Sequence, residues 1–179
     1  MNNDASKVEI IKKHISSYPD FPKKGIIFRD LFSVLREPSL FTLLKEILID
    51  RVKRNFPDVG CIAALDSRGF LLGPLIALDL QLPFVPIRKR GKLPGKVISV
   101  EYSLEYGKDA LEIQEGSLKS GEKVLLVDDL LATGGSLKAS SKLIEKCEAV
   151  VVGCLVVMEI EALKGAAQIT APLHSIIKY

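Results

Sequence analysis

A short apolar run that leads into two carboxylates constrains the fold of this chain more than any other stretch. Residues 124–127 read Val-Leu-Leu-Val, which is typical of a strand buried on both faces of a parallel sheet. Asp128 and Asp129 follow directly. We expect the strand to stop at these acids and to place them at the carboxyl edge of the sheet, where open α/β proteins bind ligands.

The five residues after Leu131 have the composition of an anion-binding loop. They provide glycines that tolerate unusual backbone angles, hydroxyl groups, and N–H groups at the start of a predicted helix over 137–146; they are Ala132, Thr133, Gly134, Gly135 and Ser136. The sequence contains neither the Gly-x-x-x-x-Gly-Lys-Ser/Thr spacing of a Walker loop nor the Gly-x-Gly-x-x-Gly spacing of a dinucleotide-binding turn. We interpret the loop as a phosphate site of another kind.

The two acids restrict which phosphate compound fits this loop. A carboxylate repels a bare phosphate, so Asp128 and Asp129 fit a sugar phosphate whose ribose hydroxyls they bind. A divalent cation would offset the remaining negative charge, and because no histidine, cysteine and carboxylate cluster has zinc spacing, Mg²⁺ is the expected ion. The alternative is a plain strand, turn and helix in which the acids only cap the helix.

Residues 124–136, Val-Leu-Leu-Val-Asp-Asp-Leu-Leu-Ala-Thr-Gly-Gly-Ser, resemble the phosphoribosyl pyrophosphate (PRPP) signature of the type I phosphoribosyltransferases. The part from Asp129 to Gly135 most resembles the adenine phosphoribosyltransferase family. Four further segments match that family in its order, and they are residues 21–30, 66–70, 88–95 and 102–107. The resemblance implies that adenine N9 displaces pyrophosphate from C1′ of PRPP, giving AMP and pyrophosphate in purine salvage.

Strands that alternate with helices at short spacing predict the α/β class, with a doubly wound, mainly parallel sheet of about five strands. One unit of this kind is a buried strand over Cys61 to Leu65, a polar loop over 66–69 and a helix over 70–80. The resemblance implies a single phosphoribosyltransferase domain over 1–179. Within it, residues 1–36 would form an N-terminal helix and a base-binding hood, and residues 88–112 a flexible β-hairpin lid.

The resemblance assigns the PRPP-binding residues. Arg68 and Lys89 would hold pyrophosphate, while Asp128 and Asp129 would orient the ribose. The ion Mg²⁺ would be held near these acids by substrate and water, with no direct protein ligand. The loop 132–136 would anchor the 5′-phosphate.

The resemblance also assigns the adenine site and the lid. The backbone at Ile27 and Arg29 would read the edge of adenine, Phe28 would stack on its face, and Leu130 would complete the pocket. Glu105 would exchange the proton that adenine loses as N9 bonds. The remaining lid residues are Arg90, Lys92 and Tyr106.

Each of these segments has a simpler interpretation from its residues alone. Residues 25–30 could be a packed loop, and Asp66 and Arg68 could pair with each other at a helix start. Four positive charges within residues 88–92 are usually a solvated run and in some proteins a nucleic-acid patch, but no aromatic residues are interleaved here. Glu105 could be a solvated loop acid.

Composition limits the broad class of the protein. Hydrophobic content of 47%, charged content of 26% and a formal net charge of +3 fit a compact protein with no nucleic-acid partner. The N-terminus lacks the apolar region of a signal peptide and no apolar run is long enough for a membrane span, so we expect no membrane association and a cytoplasmic location. The cysteines Cys61, Cys147 and Cys154 are expected to be free thiols.

Patterns near the N-terminus predict a helix and an oligomeric state. Ser6 and Glu9 have capping-box spacing, which predicts a helix over Lys7 to Ser17. Apolar residues near the hood, together with the resemblance, predict a homodimer; they are Phe32, Val34 and Leu35. Two other functions remain open, a non-catalytic PRPP-binding regulator and a transferase for a 6-oxopurine or orotate.

Overall fold

The computed structural model describes residues 3–103 and 108–179, so Glu105 and Tyr106 lie outside the described residues. The chain forms two compact units, Met1–Arg51 and Val52–Tyr179. One phosphoribosyltransferase domain over 1–179 stays a prediction. No helix in the described ranges is long and apolar enough to cross a membrane.

The first unit contains short elements that the sequence patterns describe poorly. Its helices and strands are α1 (Asn3–His14), β1 (Ser16–Pro19), β2 (Ile27–Asp30), α2 (Phe32–Leu35) and the larger part of α3 (Pro38–Asn55). The helix expected over Lys7 to Ser17 therefore begins and ends earlier, and Ser6 does not cap it. The prediction is wrong because Ser16 to Pro19 pairs antiparallel with β2. The packed-loop interpretation of 25–30 is also wrong over 27–30.

The second unit is built on a sheet whose strands are β3 (Cys61–Leu65), β4 (Phe84–Lys89), β5 (Val97–Ser103), β6 (Lys108–Gln114), β7 (Lys123–Leu131), β8 (Val150–Glu159) and β9 (Leu173–Lys178). Among the described residues the strand order is β5-β6-β4-β3-β7-β8-β9. Strands β4, β3, β7, β8 and β9 are parallel, so the sheet is mainly parallel as predicted. The described strands number seven rather than the predicted five or so, because β5 and β6 form an antiparallel hairpin that extends the sheet. The predicted doubly wound α/β sheet is confirmed.

The central strand β7 is buried on both faces. Val124 and Leu126 belong to one core with the buried face of α5 (Gly135–Lys146), which includes Leu143. Their neighbours Leu125 and Val127 are just as inaccessible, and alternation along a strand directs them to the opposite face. When both faces of a sheet are covered, a ligand can reach it at the ends of its strands, where the connecting loops meet.

The helix α4 (Gly73–Leu80) packs closely against β3. A Cβ atom built on Gly73 would lie 2.6 Å from the Cβ of Ala64 and 2.9 Å from the Phe84 ring. Glycine is therefore needed where this helix begins, because a larger residue would separate the two elements. The close packing fixes the connection between them, which includes a 3₁₀ turn over Arg68–Leu71, at the carboxyl edge of the sheet. The helix predicted over 70–80 therefore begins later, at Gly73.

Candidate active site

The two acids lie on a part of β7 that extends past its neighbour. Pairing between β3 and β7 ends at Ala64 with Val127, whereas pairing with β8 continues from Asp128 to Leu131. The expectation that the strand stops at the acids is wrong, because β8 supports the strand for four more residues. Since β3 ends first, the acids stand above its end, beside the loop that follows it.

A cavity of about 500 Å³ opens at this place, a size typical of small-molecule sites. All of its lining residues belong to the unit Val52–Tyr179. They come from three segments of the sequence, namely Asp66–Arg68, Lys89, and Asp128–Leu137. The structure therefore brings together the predicted PRPP-binding residues Arg68, Lys89, Asp128, Asp129 and 132–136, and with them Leu130.

Arg68 forms an ion pair with the second acid. Its Nε atom donates to Oδ2 of Asp129 across 2.5 Å, and Asp129 is only 4% exposed. Asp66 pairs instead with Arg88, whose Nε lies 3.0 Å from its Oδ2. The alternative in which Asp66 and Arg68 pair with each other is therefore wrong, and Arg68 is directed toward the acids.

Asp128 occupies a different environment from Asp129. Its Oδ1 accepts a hydrogen bond from the backbone N–H of Asp129 at 2.9 Å. Burial foremost, and then the neighbouring Asp129 charge, raise the pKa of Asp128 well above its usual range. A Cβ on Gly69 would lie 3.3 Å from this carboxylate and 2.9 Å from the Val127 carbonyl oxygen. A glycine at this position thus allows the loop after β3 to approach the acids.

The loop 132–136 has the geometry of an anion site. Gly134 adopts a φ of 84°, a left-handed conformation that glycine reaches without strain, and α5 begins at the next residue. The cap position itself is Gly134, which has no side chain, and no side-chain cap bond is present there among the described residues. The N–H groups at its first turn, which need partners, therefore suit an anion bound against the loop.

Lys89 lies at the end of β4 and reaches the cavity beside the hairpin. Its Nζ is 3.3 Å from Oδ2 of Asp109, which also accepts a hydrogen bond from the Tyr102 hydroxyl at 3.4 Å. The Ala110 N–H foremost, and Lys89 further, lower the pKa of Asp109. Sequence reasoning missed Asp109 and Tyr102. Both are register partners across the hairpin, a signal that needs the strand pairing to be known.

A second contact that sequence reasoning missed lies behind the phosphate loop. A one-turn 3₁₀ helix, Gly165–Gln168, packs against it, and we call this the supporting turn. Gln168 Nε2 donates to the Thr133 carbonyl at 2.9 Å. No sequence motif links these residues, which are 35 positions apart.

The predicted adenine-binding residues of the hood lie in the first unit, and the described lid residues Arg90 and Lys92 follow β4. Ile27, Phe28 and Arg29 lie in β2 of the first unit, where Phe28 packs edge-on against Phe21 at 5.2 Å and Arg29 Nη1 donates to Ser17 Oγ. In the hairpin region the exposed Arg90 pairs with Glu101, and the Lys92 carbonyl accepts from Arg88. The adenine-binding and lid roles stay predictions.

Neither a metal-binding cluster nor a reactive thiol is found among the described residues. No group of three or more histidine, cysteine or acidic side chains in residues 3–103 and 108–179 is placed to hold a metal. Burial raises the pKa values of Cys61 and Cys154 to about 12, and burial also raises that of Cys147, so none of these thiols is a ready nucleophile.

A family model and individual relatives of known name all match this chain to the same protein family. The sequence model of the phosphoribosyl transferase domain matches residues 33–172. The adenine phosphoribosyltransferase of Drosophila pseudoobscura pseudoobscura is 48% identical over 173 residues, which is 97% of this chain and 96% of that protein. The protein of the same name from Caenorhabditis elegans is 45% identical over 94% of this chain and 92% of its own length.

A solved structure agrees with the sequence relatives. The adenine phosphoribosyltransferase of Saccharomyces cerevisiae, complexed with adenine and D-2,5-dideoxy-2,5-imino-altritol 1,6-bisphosphate, has a TM-score of 0.94. It is 40% identical, and the match covers 97% of this chain and 99% of that one.

Proposed function

Because this chain belongs to the adenine phosphoribosyltransferase family, we propose that it transfers the phosphoribosyl group of PRPP to N9 of adenine, giving AMP and pyrophosphate. One observation carries the proposal: a single cavity holds an uncapped phosphate loop, two adjacent acids, an arginine and a lysine. These are the groups that the two charged ends of PRPP and the ribose between them require. Formation of AMP in this way is a purine-salvage reaction.

The 5′-phosphate end of the substrate would bind the loop 132–136. Backbone N–H groups at the start of α5 donate to its oxygens, and the hydroxyls of Thr133 and Ser136 can add further hydrogen bonds. Asp128 and Asp129 then face the ribose hydroxyls. A carboxylate that accepts from ribose hydroxyls fixes the position of C1′ relative to the attacking base.

The pyrophosphate end gains negative charge as its bond to C1′ lengthens. Arg68 and Lys89 line the same cavity and supply positive charge at this end. Asp129 holds the Arg68 guanidinium in place before substrate binds, so little reorganisation is required. Lys89 is paired with Asp109, so pyrophosphate would compete with that carboxylate for the ammonium group.

Mg²⁺ fits this site as a companion of the substrate. Three carboxylates line the cavity, and two of them are paired, Asp129 with Arg68 and Asp66 with Arg88, so the protein offers too few oxygens for a coordination shell of its own. Substrate oxygens and water would hold the ion near Asp128 and Asp129. When bound, the ion would offset the negative charge that builds on pyrophosphate and so would make it a better leaving group.

The base side of the reaction involves residues from several segments. Adenine would meet the backbone of Ile27 and Arg29, the ring of Phe28, and Leu130. Glu105 would accept the proton that adenine loses as N9 bonds to C1′, a role for a carboxyl group on the imidazole side of the base. Closure of the lid with Arg90, Lys92 and Tyr106 would keep water away from the cationic ribose.

The test is an incubation of the protein with PRPP, Mg²⁺ and each nucleobase in turn, with nucleotide measured by chromatography. Only adenine should be converted efficiently, because a 6-oxo base exchanges a hydrogen-bond donor for an acceptor at roughly 1–3 kcal/mol for each mismatched group. Ribose 5-phosphate in place of PRPP is the control, since it lacks the leaving group. Comparable conversion of hypoxanthine, guanine or orotate would contradict the base assignment, and no nucleotide at all would favour the non-catalytic regulator.

A homodimer is the proposed assembly. Phe32 is 47% exposed and Leu35 is half-buried, which leaves apolar surface on the first unit for a partner copy. Val34 does not contribute, because it is fully buried. Light scattering at micromolar concentration should give the mass of a dimer, and the mass of one chain would contradict this proposal. A cytoplasmic location also stays a prediction.

A further inference from the structure

The supporting turn, Gly165–Gln168, is in direct contact with the backbone of the phosphate loop. A Cβ atom on Gly134 would lie 2.6 Å from the Gly165 carbonyl oxygen, and one on Gly165 would lie 2.9 Å from the Gly134 nitrogen. A real Cβ atom essentially never lies this close to a backbone atom of another segment. Glycine is therefore needed on both sides of the contact, because any side chain would push the two segments apart.

Gln168 adds a directed hydrogen bond to this packing. Its Nε2 donates to the Thr133 carbonyl at 2.9 Å, while its Oε1 accepts from Lys138 Nζ at 3.3 Å. The Thr133 carbonyl and the Gly134 N–H share one peptide group, and in a trans peptide these two bonds point in opposite directions. A carbonyl held toward Gln168 therefore turns the Gly134 N–H away from Gln168.

The supporting turn is itself fixed to the sheet. The backbone N–H of Ile160, five residues before Gly165, donates to the Leu131 carbonyl at the end of β7 at 2.9 Å. The N–H of Glu161 donates to the Tyr179 carbonyl at 2.9 Å, and Glu161 pairs with Lys178. Residues 160 and 161, which lead toward the supporting turn, are thus bonded to the ends of β7 and β9. This anchoring allows the turn to hold the phosphate loop in one position.

We propose that Gln168 is a positioning residue that sets the phosphate loop, before substrate arrives, in the orientation that binds the 5′-phosphate. The inference rests on the proposed function, since it takes the anion at this loop to be the 5′-phosphate of the ribose. Gln168 does not touch the substrate. It acts through the Thr133 carbonyl, while Gly165 permits the close contact that brings the amide within reach.

The test compares two substitutions by calorimetry of ribose 5-phosphate binding. Gln168→Leu removes the amide at similar size. Gln168→Glu keeps the length and an acceptor for Lys138 but removes the donor and places a carboxylate against the Thr133 carbonyl. Both substitutions should lower the affinity for ribose 5-phosphate about three- to tenfold, which is the effect of one hydrogen bond at a site that water can reach. KM for PRPP should rise by the same factor, with kcat, KM for adenine and pyrophosphate affinity unchanged.

Gln114→Leu is the matched control. The Gln114 side chain makes the same kind of bond, from Nε2 to the Pro94 carbonyl at 3.2 Å, at a place remote in sequence from the phosphate loop. Its ribose 5-phosphate affinity should equal that of the wild type. Gly165→Ala should weaken the binding of ribose 5-phosphate more than either Gln168 substitution does, because the added carbon meets the Ala132 carbonyl oxygen and then the Gly134 nitrogen of the phosphate loop.

The outcomes separate this inference from the proposed activity. Wild-type affinity for ribose 5-phosphate in Gln168→Glu would overturn the inference, because the donated hydrogen bond would then be dispensable. An equal loss of pyrophosphate affinity in Gln168→Leu would also overturn it, since the effect would not be confined to the phosphate loop. Failure of the wild-type protein to form AMP would overturn the proposed activity, and the ribose 5-phosphate comparison would still decide the role of Gln168.

Discussion

Arg68 and Asp129 are joined by a 2.5 Å hydrogen bond between charged groups, across 61 positions of the sequence. Asp129 is 4% exposed, whereas the Arg68 side chain remains 30% accessible at the edge of the cavity. A carboxylate so deeply buried requires a partner, and a partner held in this way loses much of its rotational freedom. The pair therefore stabilises the acid and orients the arginine for an anion.

Asp129→Asn should weaken pyrophosphate binding while the chain still folds. Asparagine keeps the size of the side chain but removes the charge that holds Arg68, and hydrogen bonds to charged groups are worth about 1.5–3 kcal/mol. We expect an affinity loss of roughly tenfold or more by calorimetry. Asp58→Asn is the control, because Asp58 forms only an exposed pair with Lys123. Wild-type pyrophosphate affinity in Asp129→Asn would show that Arg68 needs no support.

Asp128→Asn should make the ligand-free protein more stable above the pKa of Asp128. Burial raises that pKa above the value near 4 of the unfolded chain, so ionisation costs the folded state free energy. The cost is absent below about pH 4 and grows as pH rises through the folded-state pKa. Denaturant unfolding of both proteins between pH 4 and 8 should give curves that meet at low pH and separate at high pH, with Asp128→Asn the more stable.

Parallel stability curves for Asp128→Asn and the wild type would contradict this assignment of the raised pKa. Turnover provides the second measurement. The substitution should lower it, since asparagine binds ribose hydroxyls less strongly than a carboxylate does. A variant that is more stable and less active is the expected result where a buried charge is kept for function.

The parts of the fold that sequence predicted are those with continuous burial. The strand Cys61–Leu65 is found with the predicted bounds, because all five of its residues are buried and the pattern is unambiguous. The pair β1 and β2 was missed, since three of the four residues of β1 are exposed and carry no apolar alternation. The end of β7 was misplaced because carboxylates inside a strand resemble the start of a loop.

The candidate site divides in the same way. Residues that are neighbours in sequence, from Asp128 to Ser136, were predicted from one motif and line one cavity. Contacts between distant segments could not be predicted, because many pairings are compatible with the same sequence. The sequence offered Asp66 as a partner for Arg68 and did not indicate Asp129, and nothing in the sequence connects Gln168 with Thr133.

Glu105→Gln should lower kcat on the order of a hundredfold or more and leave substrate affinity nearly unchanged. Glutamine keeps the shape of the side chain but cannot exchange the adenine proton, and one general acid–base group contributes on this scale. Glu101→Gln is the control from the predicted lid segment 88–112, because Glu101 forms an exposed pair with Arg90 and no other ion pair among the described residues. Steady-state kinetics at saturating PRPP give the comparison. Wild-type kcat in Glu105→Gln would make Glu105 a solvated loop acid.

Arg88→Ala should loosen the turn formed by the basic residues 88–92, which leads from β4 toward the hairpin of β5 and β6. Arg88 Nη1 donates to the Lys92 carbonyl at 2.9 Å, its Nε holds Asp66, and the Gly91 N–H donates to Glu112 at 2.9 Å. These hydrogen bonds protect the peptide bond after Lys92 from proteolysis until the turn opens. Loss of the Arg88 bonds lowers the opening free energy by about 1–3 kcal/mol, so trypsin should cleave after Lys92 roughly five- to a hundredfold faster.

The comparison for Arg88→Ala is Arg90→Ala, which also removes one trypsin site but breaks only an exposed ion pair worth at most about 1 kcal/mol. Mass spectrometry of the fragments identifies cleavage after Lys92 in each protein. PRPP with Mg²⁺ and an unreactive adenine analogue should slow this cleavage in the wild type, because pyrophosphate draws the basic residues inward. Equal rates in Arg88→Ala and Arg90→Ala would mean that Arg88 does not hold the turn. Equal rates in the wild type with and without ligands would reject the lid.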